Sequence, residues 1–202
     1  MRFDKGSLYT LTHTCNMRIT GGAARGIPLT APKGRDTRPA TDQLREAVFS
    51  SLGSRIEGAR VADLFAGTGA YGLEAMSRGA ASGCFVENSR EVVACLKKNL
   101  AAALKSCGTK PSDWHVLAQK VDRVSKNLGP FEIVFMDPPY AMIEESIPGI
   151  FVQHIAEILT PDGLACIEMP GNLEINLPGW AAKRRLGKAG KDKPTMVFYE
   201  RG

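Results

Sequence analysis

The sequence predicts a doubly wound α/β fold, and three observations predict it. From Arg60 onward, short β-branched or aromatic runs alternate with helix-patterned stretches. The first of these runs closes on the glycine loop Ala66-Gly67-Thr68-Gly69. A later one, Phe131-Glu-Ile-Val-Phe-Met136, closes on Asp137-Pro138-Pro139-Tyr140, where neither proline can continue a ladder. Such alternation builds a mostly parallel sheet with helices on both faces and right-handed crossovers. Ligands of such a sheet gather at the carboxyl ends of its strands.

Taken in order, residues 1–16 are polar and without period and read as a disordered extension; patterned sequence begins at Met17, which is itself a plausible start. Residues 17–59 form a basic, glycine-rich arm and a helix. Apolar pieces at Ile19 and Ile27-Pro28-Leu29 flank Gly21-Gly22, the composition of a small hairpin. Thr41-Asp42 caps a helix running to about Leu52, with Leu44, Val48 and Leu52 on one face.

Residues 60–202 carry the alternation itself. Arg60 to Phe65 reads as a strand, Ala70 to Arg78 as a helix ended by Gly79, and Gly83 to Val86 as a strand closed by Glu87. A longer helix from Glu91 to about Lys105, a weaker strand His115 to Ala118 and a short helix Val121 to Leu128 follow. After Phe131 to Met136, Glu144 to Leu159 reads as a helix that Pro148-Gly149 must break or kink. Thr160 to Gly163 reads as a turn, Leu164 to Met169 as a strand and residues 170–178 as a loop. Trp180 to Leu186 and Thr195 to Glu200 read as an antiparallel pair joined by a lysine- and glycine-rich loop.

Composition narrows the function classes. Hydrophobic residues make up 44% and charged residues 23% of the 202, an ordinary soluble balance. The longest apolar runs are too short to span a bilayer, and the N-terminus lacks the apolar stretch of a signal peptide. Five scattered cysteines without a Cys-x-x-Cys pair argue for a reducing cytoplasm and against zinc, and His13, His115 and His154 lack ligand spacing. The net charge of +5 is modest, so its placement matters more than its size. Arg18, Arg25, Arg35 and Arg38 lie among the glycines of the arm, and Arg45 follows on the first helix. A solvated surface is the ordinary explanation of any one of them; as a group they suit phosphates that approach a glycine-rich backbone.

The glycine loop points to a nucleoside cofactor. Gly67 and Gly69, with Thr68 between them, let backbone approach a ligand at a helix N-terminus. Glu87 ends the next strand twenty residues after Gly67, where an acid can take both ribose hydroxyls. Gly67, Gly69 and Gly72 also satisfy Gly-x-Gly-x-x-Gly, so glycine spacing does not separate a dinucleotide from other nucleosides. Asp63 argues against a pyrophosphate, which it would repel, and for the ammonium group of an amino-acid moiety. S-adenosylmethionine has that ammonium, a ribose and an electrophilic methyl. Asp137-Pro138-Pro139-Tyr140 suits the acceptor: a carboxylate and a fixed carbonyl can hold the N–H groups of an exocyclic base amine while a tyrosine ring stacks on the extruded base.

These motifs resemble those of the bacterial 16S ribosomal RNA guanine-N2 methyltransferases named for guanine 966. The resemblance covers nearly all of Met17 to Arg201. It rests on Arg18-Ile-Thr-Gly-Gly, Arg25-Gly26, Arg38-Pro-Ala-Thr-Asp-Gln-Leu-Arg-Glu-Ala-Val-Phe49, Asp63-Leu-Phe-Ala-Gly-Thr-Gly69 with Gly72-Leu-Glu-Ala75, Glu87 and Asp137-Pro-Pro-Tyr140. It implies a Rossmann-like class I methyltransferase with a seven-stranded sheet and an N-terminal hairpin facing RNA. It implies S-adenosylmethionine as donor, 16S ribosomal RNA in a small-subunit assembly particle as partner, and no metal. Asp63, Gly67, Thr68 and Gly69 would serve the methionine part, Glu87 the ribose, and Asp137, Pro138 and Tyr140 the base. Family members often carry an acid after the third strand for the adenine amine; here the segment reads Ala118-Gln119-Lys120, which leaves Gln119. The loop Gly187-Lys-Ala-Gly-Lys-Asp-Lys193 also departs from the family. Rival readings are a DNA adenine methyltransferase, which would need a separate recognition domain, a protein or small-molecule methyltransferase, and a non-catalytic RNA-binding assembly factor.

Overall fold

A computed structural model describes residues 12–32, 42–191 and 193–202. Two strands open the chain, β1 (Thr12–Arg18) and β2 (Pro28–Pro32), paired antiparallel with an irregularity between Thr14 and Arg18. The disordered reading of residues 1–16 is therefore corrected from Thr12 onward, because this segment finds ladder partners in β2, Thr12 opposite Pro32 and His13 opposite Ala31. The remainder of that expected extension lies outside the described residues. The hairpin turn is longer than two glycines: Ile19 and Ile27 bracket it, with the Ile19 N–H donating to the Ile27 carbonyl at 3.0 Å.

Helix α1 (Asp42–Leu52) then leads to β3 (Arg60–Leu64), α2 (Ala70–Ser77), β4 (Ser82–Glu87), α3 (Arg90–Cys107), β5 (Trp114–Ala118) and β6 (Phe131–Met136). The expected short helix over 121–128 is two separate single turns, Val121–Arg123 and Lys126–Leu128. The helix expected over 144–159 is a composite: α4 (Ile147–Ile150), a π-helical turn Phe151–Ile155, and α5 (Ala156–Ile158). Proline falls in its first turn, where a missing N–H costs nothing.

Strands β7 (Leu159–Pro170), β8 (Trp180–Gly187) and β9 (Pro194–Arg201) complete a seven-stranded sheet in the order β5-β4-β3-β6-β7-β9-β8. The first five strands of that order run parallel; β9 is antiparallel to β7 and to β8. The turn expected at 160–163 survives as an excursion within β7: Phe131 pairs with Leu159 and Ile133 with Leu164, so β7 spends five residues where β6 spends two. Alternate residues feed two cores. Val61, Phe85, Ile133 and Phe135 lie with α1, α2 and α3 on one face; Leu64, Val86, Val134 and Met136 lie with Phe151 and Ile155 on the other. Ile19 and Leu29 of the arm belong to the first core, so the arm is part of the folded body. The order reverses at β3 and β6: α2 carries the chain from β3 to β4 on one side, while β6 lies on the other. A crevice at that switch point is where such sheets bind ligands.

Candidate active site

A cleft of about 940 Å³ opens there, at the carboxyl ends of the central strands. Its first wall is the loop after β3. Phe65, Gly67 and Gly69 all have positive φ, at 60°, 55° and 88°. For Phe65 this conformation costs about 1–2 kcal/mol, and neighbouring bonds hold the loop: Ala66 N–H donates to the Val86 carbonyl at 3.0 Å and Gly69 N–H to the Ala66 carbonyl at 2.7 Å. The two glycines do different things. Gly67 lines the cleft, and only the Phe65 carbonyl at 3.9 Å stands near the place of a Cβ. Gly69 faces inward, where a Cβ would come within 2.4 Å of Leu96 Cδ1, so it serves helix packing rather than the cleft surface.

The acids of this wall are set by backbone amides. Glu87 Oε2 accepts from Gly67 N–H at 3.1 Å and its Oε1 from Ser89 N–H at 2.8 Å. Asp63 is buried and accepts from Gly72 N–H at 2.8 Å. Burial pushes its carboxyl up to about 8; the Gly72 amide opposes the rise and the charge of Glu87 adds to it. Thr68 also lines the cleft, and its carbonyl accepts from Asn99 Nδ2 at 3.0 Å. Gln119 lines the far end beside Asp122, an acid three residues further on that the motif reading passed over.

The second wall is the end of β6. Asp137 N–H donates to the Leu64 carbonyl at 3.3 Å, which ties the two walls together. Pro138, Pro139 and Tyr140 follow on the cleft surface, and Tyr140 starts a single helical turn, Tyr140–Met142. The half-buried Tyr140 packs against the second core. The Asp137 carboxyl is raised well above the usual range, first by burial, then by Glu168 and Asp63. Glu168, within β7, was not foreseen. It is buried, lines the cleft, and accepts from the Tyr71 hydroxyl at 2.7 Å. Burial raises it to about 7, against the Tyr71 bond and the nearby Arg45 charge. Tyr71 is stacked on Phe135 at 5.4 Å and 13°. The available signal was an acid inside the apolar run Leu164 to Met169, a placement that costs energy unless something uses it.

The basic residues divide. Arg18 is 68% exposed, 3.7 Å from Asp42, and Arg25 is exposed in the hairpin turn. Met17 and Pro32 bring both ends of that hairpin to the cleft rim. Arg45 is a correction: its side chain is 0% exposed and cannot meet RNA. It bonds Asp42 at 2.8 Å, Glu74 at 3.4 Å and the Arg18 carbonyl. The apolar face of α1 was read correctly; its flank is also covered, because the arm folds over it. Arg35 and Arg38 lie outside the described residues. Among the described residues no group of three His, Cys, Asp or Glu is arranged to hold a metal, and no helix is long and apolar enough to cross a membrane.

The family profile described as conserved hypothetical protein 95 matches residues 17–199. The candidate rRNA methyltransferase YlbH of Bacillus subtilis is 29% identical over 188 residues, which is 85% of this chain and 100% of that protein. Ribosomal RNA small subunit methyltransferase D of Escherichia coli K12 is 40% identical over 133 residues, covering 65% of each chain. The solved structure of the candidate methyltransferase yhhF from Escherichia coli superposes with a TM-score of 0.74 at 32% identity, over 92% of this chain and 97% of that one.

Proposed function

The chain belongs to the family described as conserved hypothetical protein 95, and from that premise we propose that it is an S-adenosylmethionine-dependent rRNA methyltransferase acting on the N2 amine of a guanine in 16S ribosomal RNA. One observation carries the reading. Asp63, Glu87, Asp137 and Tyr140, which come from three strand ends, line a single cleft. Donor and acceptor sites must meet in one space for direct transfer, and a cleft shared by these four residues supports that reading. The names of the relatives support the ribosomal small subunit as the substrate's source. We extend this to the guanine-966 type of position within an assembling particle, in the bacterial cytoplasm.

The donor set fits the cofactor. Asp63 is a buried acid held by the Gly72 amide rather than by a cation, which suits an ammonium group. Glu87 has both oxygens oriented by amides, which suits two ribose hydroxyls. Gln119 and Asp122 line the same cleft and offer acceptors that suit an adenine amine. When bound, S-adenosylmethionine would supply the electrophilic methyl, the methyl–sulfur bond breaking to leave a neutral thioether. The chain's own residues do the rest. The Asp137 carboxylate and the Pro138 carbonyl accept from the two N–H groups and aim the nitrogen. Tyr140 gives the extruded base a flat face. The amine loses one proton as its new N–C bond forms, and the Asp137–Glu168 pair, both raised by burial, can take it. Orientation supplies much of the acceleration, and the carboxylate stabilises positive charge growing on nitrogen.

The test is methyl transfer from labelled cofactor to protein-free 16S RNA, small-subunit particles, duplex DNA and protein, followed by nucleoside analysis. N2-methylguanosine from RNA is expected, with particles preferred. N6-methyladenosine, or label in protein alone, would replace this reading.

A further inference from the structure

We infer that the loop between β8 and β9, carrying Lys188, Lys191 and Lys193, is a second phosphate-contacting edge of the cleft, holding the RNA strand on the β7 side while the N-terminal arm flanks the side of β3 and β4. This rests on the reading of the cleft as an RNA methyltransferase site.

Placement is the first argument. β9 pairs with β7 up to Pro170 opposite Pro194, so the loop leaves the sheet at the carboxyl end of β7. Gly171 N–H donates to the Gly190 carbonyl at 3.1 Å and to the Lys193 carbonyl at 2.9 Å. Gly171 stands three residues past Glu168, which lines the cleft. Three residues of chain span at most about 11 Å, so the loop base lies beside the cleft mouth. The arm approaches elsewhere, packing on α2 through Ser77 and on α3 through Asn99.

The second argument is that the loop is built into place. Arg185 donates to the Leu173 carbonyl at 2.6 Å and to Thr195 Oγ1 at 2.8 Å, which straps the turn after β7 to the β8–β9 hairpin. There is no room for a side chain at Gly171: a Cβ would sit 2.6 Å from the Lys188 carbonyl and 2.9 Å from Gly190 N.

Charge is the third. Lys188, Lys191 and Lys193 are exposed. Among the described residues no ion pair engages them. Asp192 is the single acid in the stretch 188–193. Ammonium groups are hydrated point charges without the planar fork that reads base edges. Such groups position a backbone rather than choose a sequence.

The experiment measures binding of a fluorescent hairpin RNA from 16S rRNA across a salt series, with S-adenosylhomocysteine affinity alongside. The variants are K188Q/K191Q/K193Q, the charge-matched control K105Q/K110Q/K126Q at the opposite end of the sheet, and G171A, which keeps every charge but crowds the loop base. The loop triple variant should weaken RNA binding about tenfold at low salt and flatten the log–log salt slope by about 2, from three phosphates at roughly 0.7 each. The control should stay within about twofold of wild type on the same electrostatic footing. G171A should weaken RNA in the same direction, and S-adenosylhomocysteine affinity should hold in all. A loop variant that binds RNA like the control, with an unchanged slope, overturns the inference. Loop-dependent RNA binding without methyl transfer by wild type would instead overturn the proposed function and leave this surface standing.

Discussion

The protein buries two sets of acids and treats them in opposite ways. Glu74, on α2, is surrounded by donors: Thr20 N–H at 2.7 Å, the Thr20 hydroxyl and Gly21 N–H each at 2.8 Å, Arg78 at 2.8 Å and Arg45 at 3.4 Å. Asp63, Asp137 and Glu168, at the cleft, have one amide, one phenol and one another. The first arrangement spends a buried charge on holding three chain segments together. The second leaves acids raised and close to solvent space, where a ligand can complete them. A buried acid is therefore diagnostic only together with its partners: a saturated one marks structure, an unsaturated one a site.

The largest expected effect tests the saturated side. Glu74→Ala takes the buried carboxylate from Arg45, which keeps Asp42 and the Arg18 carbonyl, and strips the Thr20 and Gly21 donors of their acceptor, so it should cost about 3–5 kcal/mol. Thermal unfolding should drop by roughly 6–20 °C; a drop of a degree or two would show that Glu74 is not a structural hub. Asp137→Ala should do the reverse, lowering kcat by about a hundredfold or more with folding and S-adenosylhomocysteine affinity nearly unchanged. An equal loss of cofactor affinity would move Asp137 out of the acceptor wall.

Asp63→Asn makes the comparison sharper, because it should stabilise the fold while harming the site. The Asp63 carboxyl is raised to about 8 in the folded chain. An unfolded chain releases that proton near its ordinary value, so wild-type stability falls as pH climbs from about 4 to 8 on this account. The variant's gain should be absent near pH 4, on the order of a few kcal/mol at pH 7, and largest above pH 8. Cofactor affinity should fall about tenfold or more for the lost charge-assisted bond. In wild type, that affinity should rise with pH up to about 8 as the ammonium draws the proton off Asp63. Calorimetry in buffers of different ionisation enthalpy reads the released proton; no release would sever Asp63 from the ligand.

Smaller effects remain. Glu168→Gln removes a negative neighbour of Asp137, so the acidic limb of the kcat profile should move to lower pH, by the part of the Asp137 rise that Glu168 causes and not by the larger part that burial causes. A limb that stays in place would make Glu168 a structural acid like Glu74. Tyr140→Phe should change kcat/KM by no more than about twofold, whereas Tyr140→Ala should cost about 1–3 kcal/mol of stacking. If the two are equally harmful, the hydroxyl belongs with the acids in the site's polar machinery.

The legible part of this site is the part that sits at strand ends. Glu87 and Asp137 each close an apolar run and Asp63 stands one residue before the end of β3, and a parallel sheet gathers those ends without further information. Glu168 was illegible because it lies within its strand, and its meaning comes from Tyr71 nearly a hundred residues away in the chain. Arg45 was misplaced for a similar reason: its local pattern says surface, and only Glu74 and the arm, both distant in sequence, bury it. Gly69 matched a cofactor motif yet packs against Leu96, since a glycine's spacing does not say which way its missing side chain would have pointed. Strand and helix positions followed from periodicity, while the excursion in β7 and the π-turn after α4 depend on register and tertiary packing.

Asn99 ties the arm to the glycine loop. It lies buried on α3, accepts from the Thr30 amide at 2.8 Å and hydroxyl at 2.7 Å, and donates to the Thr30 carbonyl and the Thr68 carbonyl at 3.0 Å each. One amide group thus joins the arm proposed to meet RNA to the loop proposed to hold the cofactor. On the proposed function, Asn99→Ala should leave both ligands bound and remove the dependence of S-adenosylhomocysteine release on bound RNA, which release rates measured with and without RNA would read.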